Sequence, residues 1–183
     1  IMNGRKTPKK YDNFFDYILI EITQKLNSQY KKYNLTPNHL TFLSLIITLI
    51  SEFFFYKNKY FISFILFLLG YFFDCADGNY ARATNMVTVF GDYFDHISDF
   101  LKILILIFLF KLKLGLEKKF YILVCLIFIL TLFMSIHIGC QQKNIDNNNS
   151  QTLNHFKSLC PDKSLIKYTK FFGVGTFQLS ISL

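Results

Sequence analysis

From Pro37 to His137 the chain is a succession of apolar runs, each long enough to cross a bilayer, broken only by short polar stretches near residues 57–59, 83–88 and 111–119. An α-helix rises about 1.5 Å per residue, so roughly twenty apolar residues match the roughly 30 Å of hydrocarbon in a membrane. Inside that hydrocarbon a backbone satisfies its own N–H and C=O groups only as a helix or a closed barrel, and runs of this length and continuity select the helix. The expected fold class is therefore all-α: a polytopic integral membrane helix bundle. A hydrophobic content of 52%, with 23 Phe and only 3 Pro in 183 residues, favours a membrane protein over a soluble domain. Residues 1–183 are read as a single membrane domain.

Four spans are clear. Thr36-Pro37 offers a capping hydroxyl and a proline at the first helical position, and starts the first span, Pro37 to Tyr56. The second runs from Tyr60 towards Arg82, the third from Val89 to Leu112 and the fourth from Phe120 to His137. Leu165 to Leu183, apolar apart from Lys167, Lys170 and Gln178, is a candidate fifth, cut short. Ahead of the spans, residues 1–11 carry Arg5, Lys6, Lys9 and Lys10 and read as a mobile polar arm, with no cleaved leader legible. Over residues 12–33, Phe14, Phe15, Ile18, Ile22, Leu26 and Tyr30 recur at helical spacing, which predicts an amphipathic helix along the headgroup plane. Residues 141–163 are polar and Asn-rich and read as a loop outside the membrane, with His155 and Cys160 too isolated there to be ligands.

Carboxylates are out of place in such a chain. Asp74 and Asp77, three residues apart, end the second span, while Asp95 and Asp99, four apart, begin the third. On helices each pair shares a face, so the two acidic faces can meet. Carboxylates crowded in a poorly hydrated setting cost several kcal/mol unless a cation compensates them, and hard divalent ions held through oxygen do so most naturally. The pattern therefore points to Mg²⁺ or Mn²⁺, as a pair of ions. Both pairs lie at span ends, which lowers the cost of burial and leaves the site open to one aqueous side.

The full pattern is Asp74-x-x-Asp77-Gly78-x-x-Ala81-Arg82, then eight residues, then Gly91-x-x-x-Asp95-x-x-x-Asp99. At every defined position it resembles the signature of the CDP-alcohol phosphotransferase family. The resemblance implies a phospholipid-synthesising enzyme that moves a substituted phosphate from a CDP-linked donor to an alcohol or lipid acceptor and releases CMP. It implies Asp74, Asp77 and Asp95 as metal ligands, and Asp99 as general base with a secondary metal contact. Arg82 would bind phosphate, Gly78 and Ala81 would make room for the nucleotide, and Gly91 would allow close packing. Pro37-Asn38-His39-Leu40-Thr41 is similar to the start of the family's first span, which makes Asn38 a nucleotide contact. Asp95-His96 is similar to the branch that transfers phosphocholine or phosphoethanolamine, whereas Asn85-Met86-Val87 is not. Asp92 matches no family position and reads as a supporting or interfacial group. Family members usually have six spans, so this chain reads as truncated at its C-terminus or as a minimal member.

A net charge of +8 admits nucleic acid in principle, but the basic residues sit at the ends of apolar runs, so lipid headgroups and phosphate substrates are the expected partners and nucleic acid is not. With the N-terminus in the cytoplasm, Lys and Arg number thirteen in the cytoplasmic segments against six in the opposite loops, with Lys102 inside a span. That bias places the active site at the cytoplasmic face. The cysteines, at 75, 125, 140 and 160, show no C-x-x-C spacing, and neither a disulfide framework nor a zinc site is indicated. Small residues on the spans, with the resemblance, imply a homodimer. Two other classes fit the residues: a non-catalytic membrane scaffold, which would tolerate loss of all four aspartates, and a cation transporter, which would need a polar path through both leaflets.

Overall fold

The computed structural model describes residues 4–144 and 152–182, and no strand occurs among them. Five long helices follow the apolar pattern: α1 (Phe14–Lys32), α2 (Pro37–Tyr56), α3 (Tyr60–Ala83), α4 (Val89–Leu114) and α5 (Lys118–Lys143). Two short ones, α6 (Ile166–Thr169) and α7 (Val174–Ser182), complete the order. By length and composition α2, α3 and α5 can cross a membrane. α4 has the length, at 26 residues, but between its start and its middle it carries Asp92, Asp95, Asp99 and Lys102.

Local chemistry sets the helix ends. Asn13, Thr36 and Thr88 cap α1, α2 and α4 by accepting a bond from the N–H of Phe15, His39 and Gly91. Asn34, Asn58 and Asn85 each take a positive φ, between 53° and 60°, just beyond the C-termini of α1, α2 and α3. Asparagine tolerates that left-handed position better than other residues with a side chain, so the three reversals are written in the sequence.

The bundle is polar inside and apolar outside. Ser44, Thr48, Ser51 and Glu52 of α2, Ser63 and Asp77 of α3, and Ser98 and Lys102 of α4 are buried. Phe42, Ile50 and Phe53, Phe61 and Ile65, and Phe100 and Phe108 face outward from the same three helices, as do Leu126 and Phe128 from α5. Water would not support that exterior; lipid does, and small or polar residues then become the contact surface between helices. α2 and α3 make the most extensive pairing. Ser51 Oγ donates to the Ser63 carbonyl at 2.7 Å, and a Cβ at Gly70 would fall 2.3 Å from Thr48 Oγ1. α1 packs on α3 through Tyr30, whose ring meets Tyr80 edge to face at 5.6 Å, beside buried Leu40 and Ala76.

Three expectations change. The arm is anchored from Gly4 onward: Arg5 pairs with Asp12 and with Glu21 at 2.5 Å, Thr7 Oγ1 donates to Asp12 at 3.0 Å, and Arg82 Nε donates to the Gly4 carbonyl at 2.7 Å. Gly4, at φ +78°, lies so close to α3 that a Cβ would fall 2.2 Å from the Asn79 carbonyl oxygen. Residues 165–182 do not form one span, because a 3-10 turn at Lys170–Phe172 and extended backbone at Gly173 separate α6 from α7. Asn13 Nδ2 pins that break, donating to the Lys170 carbonyl at 2.9 Å and to Thr176 Oγ1 at 2.6 Å.

The third change is a disulfide between Cys140 and Cys160, with both residues fully buried beside Ile166. Sequence spacing could not show it: the two cysteines meet because the 3-10 helix Thr152–Leu159 folds back onto α5, where a Cβ at Gly139 would fall 2.2 Å from the Phe156 carbonyl oxygen. Asp92 holds the start of that turn, its Oδ2 accepting from Thr152 N at 3.0 Å and Thr152 Oγ1 at 2.8 Å.

One consequence of the packing is a pH dependence. Asp16 on α1 accepts a hydrogen bond from the Tyr71 hydroxyl, and burial pushes its carboxyl up from 3.8 to about 6. Between about pH 4 and 6 the unfolded chain gives up that proton while the folded chain keeps it, so stability falls as pH rises through this window and then levels off. Thermal unfolding in detergent across that range should show the decline in the native protein and lose this component in Asp16→Asn.

Candidate active site

α3 ends and α4 begins at the same side of the bundle, with the N-terminus of α2 between them. Asp74 and Asp77 therefore face Asp95 and Asp99 across a gap floored by Thr41 and Ser44 of α2. One oxygen each from Asp74, Asp95 and Asp99 can be chosen so that all three lie within 4.8 Å of one another. Three hard oxygen donors at that spacing suit Mg²⁺ or Mn²⁺, and no thiol or imidazole enters the set. Asp77 stands outside this triad. It is 5% exposed, and its Oδ2 accepts from Thr41 Oγ1 at 2.5 Å.

A cation already lies among these groups. Lys102 Nζ donates to Asp74 Oδ1 at 2.7 Å, to Asp99 Oδ1 at 2.9 Å and to Ser44 Oγ at 3.0 Å. His96 Nδ1 stands 3.4 Å from Asp95 Oδ2. The ammonium offsets two of the crowded carboxylates, while Asp99 remains 40% exposed and is the more open of that pair.

Two chambers meet at the carboxylates. The smaller, about 130 Å³, is lined by Asn38, Gly78, Ala81, Arg82 and Gly91, together with Lys6 from the arm. The larger, about 400 Å³, runs from Lys6 and Asp16 past Asp74, Asp99 and Lys102 to Glu52 and Leu106. Asp77, Asp95, Gly78, Arg82 and His96 belong to both walls. Gly78 makes room for the Arg82 guanidinium, since a Cβ there would lie 3.1 Å from Nη1. A Cβ at Gly91 would lie 3.1 Å from Asn38 Oδ1, so α4 approaches the start of α2 closely at this point. Every site residue marked in the sequence thus lines one chamber or the other, and Asp77 alone of the aspartates lies apart from the triad.

Four contributors escaped the sequence reading. Lys102 follows Asp99 by one turn, a spacing that puts both on one face. Glu52 continues the stripe Ser44, Thr48 and Ser51 on an otherwise apolar helix. Thr41 closed the Pro37–Thr41 stretch, in which Asn38 alone was marked. Lys6 carried no local signal, because only the docking of the arm brings it to the site.

The model of the CDP-alcohol phosphatidyltransferase family matches residues 34–159, well over half of the chain and the whole of both acidic helices. The chain belongs to that family. Among curated proteins, an uncharacterized protein of Aquifex aeolicus is 35% identical over 79 residues, 43% of this chain and 40% of that protein. The archaetidylinositol phosphate synthase of Pyrococcus horikoshii is 38% identical over 65 residues, 36% of this chain and 35% of that protein. The chain thus covers well under half the length of these relatives. No solved structure matches it significantly. Family membership is what these matches show, and the apolar helices α2, α3 and α5 place the chain in a membrane.

Proposed function

We propose that this phosphatidyltransferase transfers a substituted phosphate from a CDP-linked donor to an alcohol carried by a second substrate, with release of CMP. The observation that carries the reading is the junction of two chambers at one carboxylate cluster. A group-transfer enzyme must bring two substrates to one point, and a fixed in-line geometry supplies much of its rate. The small chamber suits the nucleotide: Gly78, Ala81 and Gly91 keep it open, and Asn38 offers amide hydrogen bonds. Arg82 and Lys6 present two cations where a pyrophosphate would lie, and an arginine fork suits phosphate oxygens. The large chamber, apolar towards Leu106 and polar near Asp74, suits an acceptor with a lipid or ring body.

Asp74, Asp95 and Asp99 would hold Mg²⁺ or Mn²⁺, with Asp77 adjacent as a further ligand on rotation away from Thr41. Bound there, divalent ions would neutralise charge on the phosphate oxygens. Asp99, the more open carboxylate, would accept the proton of the attacking hydroxyl. The oxygen then bonds to the phosphorus of the transferred group as the bond to CMP breaks.

Which alcohol is accepted follows from neither chamber alone. The Pyrococcus relative's name points to an inositol phosphate, and the Asp95-His96 pair points to an amino alcohol. The basic segments put the N-terminus and the site on the cytoplasmic side. Burial of Cys140 and Cys160 shields their disulfide from exchange with cytoplasmic thiols, so a bond rare in that compartment can persist. A copy-to-copy contact through the outward apolar faces would make the enzyme a homodimer.

The test is CMP release by purified protein in detergent, offered CDP-linked donors with inositol phosphate, glycerol phosphate or diacylglycerol as acceptor, with and without Mn²⁺. Release that needs one donor, one acceptor and the metal is the expected result. CMP formation with no acceptor product would make the chain a hydrolase, and no release from folded protein would favour the scaffold.

A further inference from the structure

Two turns along α2 from Ser44 lies a buried carboxylate without a hydrogen-bond partner among the described residues. It belongs to Glu52, which is 3% exposed, and both of its oxygens lack a partner. An unpaired buried carboxylate is costly enough that native proteins rarely keep one without a partner in some state. Glu52 and Lys102 line the same chamber.

The helix register puts them within reach of each other. Gly91 at the start of α4 stands beside Asn38 at the start of α2, and further along Lys113 Nζ donates to the Phe55 carbonyl at 2.8 Å. α2 and α4 therefore run in the same direction, with the backbone of Lys102 level with a point between Ser44 and Glu52. In the structure its ammonium reaches back towards Ser44. Glu52 lies the other way, two turns of α2 or about 12 Å beyond Ser44, and the long lysine side chain, rooted on α4 between the two, turns towards it by a change of rotamer without moving a helix.

We infer that Lys102 is the resident counter-ion of the carboxylate cluster in its metal-free state, that a divalent cation displaces it, and that Glu52 receives the displaced ammonium. This rests on the reading of Asp74, Asp95 and Asp99 as a metal site. The ammonium occupies two of the three triad carboxylates: Lys102 engages Asp74 Oδ1 at 2.7 Å and Asp99 Oδ1 at 2.9 Å. An ammonium left between them would face a divalent ion at close range in a low-dielectric setting, where like charges repel strongly. Turning to Glu52 removes that repulsion, pairs a buried carboxylate that has no hydrogen-bond partner among the described residues and frees Asp99 Oδ1 from the lysine. The cluster thereby stays charge-compensated both before and after metal loading.

The test measures equilibrium Mn²⁺ binding by electron paramagnetic resonance on the full chain in detergent, with thermal unfolding in EDTA alongside. Lys102→Met should bind Mn²⁺ about tenfold tighter or more, and should unfold at a lower temperature in EDTA while saturating Mn²⁺ restores it. Glu52→Gln should bind about tenfold more weakly, and that loss should vanish in the Lys102→Met background, because the two act as a pair. Unchanged or weaker Mn²⁺ affinity in Lys102→Met overturns the displacement. An equal loss from Glu52→Gln with and without the lysine overturns the relay, leaving only a distant charge effect. Should Lys102→Met fail to fold, an unchanged affinity in Glu52→Gln, whose amide keeps the carboxylate's shape, overturns the inference by itself. Failure of the native protein to bind Mn²⁺ would overturn the metal reading as well, and so is distinguishable from failure of the inference alone.

Discussion

Asp99→Asn is expected to lower the rate of CMP release by roughly a hundred- to ten-thousand-fold, the usual contribution of a general base, with the fold intact. The amide keeps the shape of the side chain but cannot take a proton. Asp99 is the candidate because it is 40% exposed, against 13% for Asp74, and opens onto the chamber read as the acceptor's. Mn²⁺ titration separates the two roles of this carboxylate: a loss of rate that persists at saturating Mn²⁺ identifies a base, and a loss that saturating Mn²⁺ restores identifies a ligand alone. Asp95→Asn serves as the comparison, since loss of a triad carboxylate should weaken metal binding directly. Stability should move the other way. Removing one charge from a crowded acidic cluster relieves repulsion, so the unfolding temperature of Asp99→Asn in EDTA should hold or rise, the usual trade at a functional site. An unchanged rate would remove Asp99 from the chemistry.

What the sequence made legible was whatever rests on local periodicity. The start of α2 falls at Pro37 because a capping threonine and a proline mark it, and α3 and α4 begin at the residues where the apolar runs do. The meeting of the two acidic faces followed from spacings of three and four, and needed only that both segments be helical. Contacts between distant segments were not legible. The basic composition of residues 5–10 suggested a solvated arm, yet Arg5 finds Asp12 and Glu21, and Gly4 fits against α3 where no other residue would. Cys140 and Cys160 are twenty residues apart with a loop between them, and spacing carries no information about a pairing set by the return of the chain onto α5. Lys102 and Glu52 are a different matter. Lys102 sat one turn beyond the recognised Asp99, and a lysine and a glutamate inside apolar spans should each have raised the question of a partner.

The last expected result concerns the cations that face the smaller chamber. Arg82→Lys and Lys6→Met should each raise the KM for the CDP-linked donor by roughly ten- to a hundredfold, with kcat less affected, because a hydrogen bond to a charged group contributes about 1.5–3 kcal/mol. The two substitutions differ in what else they disturb. Arg82 also donates to the Gly4 carbonyl, so its replacement frees the arm, whereas Lys6→Met leaves that bond in place. A KM effect in Lys6→Met therefore reports the ammonium itself and not the docking of the segment that carries it. Burial, with the neighbouring Arg82 guanidinium, brings the Lys6 amine down to about 7. A bound phosphate favours the charged form, so donor binding should weaken as pH rises above about 7, and this component of the pH profile should be absent from Lys6→Met. A variant with native KM and a native pH profile would make the arm a structural strap. The pyrophosphate would then rest on Arg82 and the metal site alone.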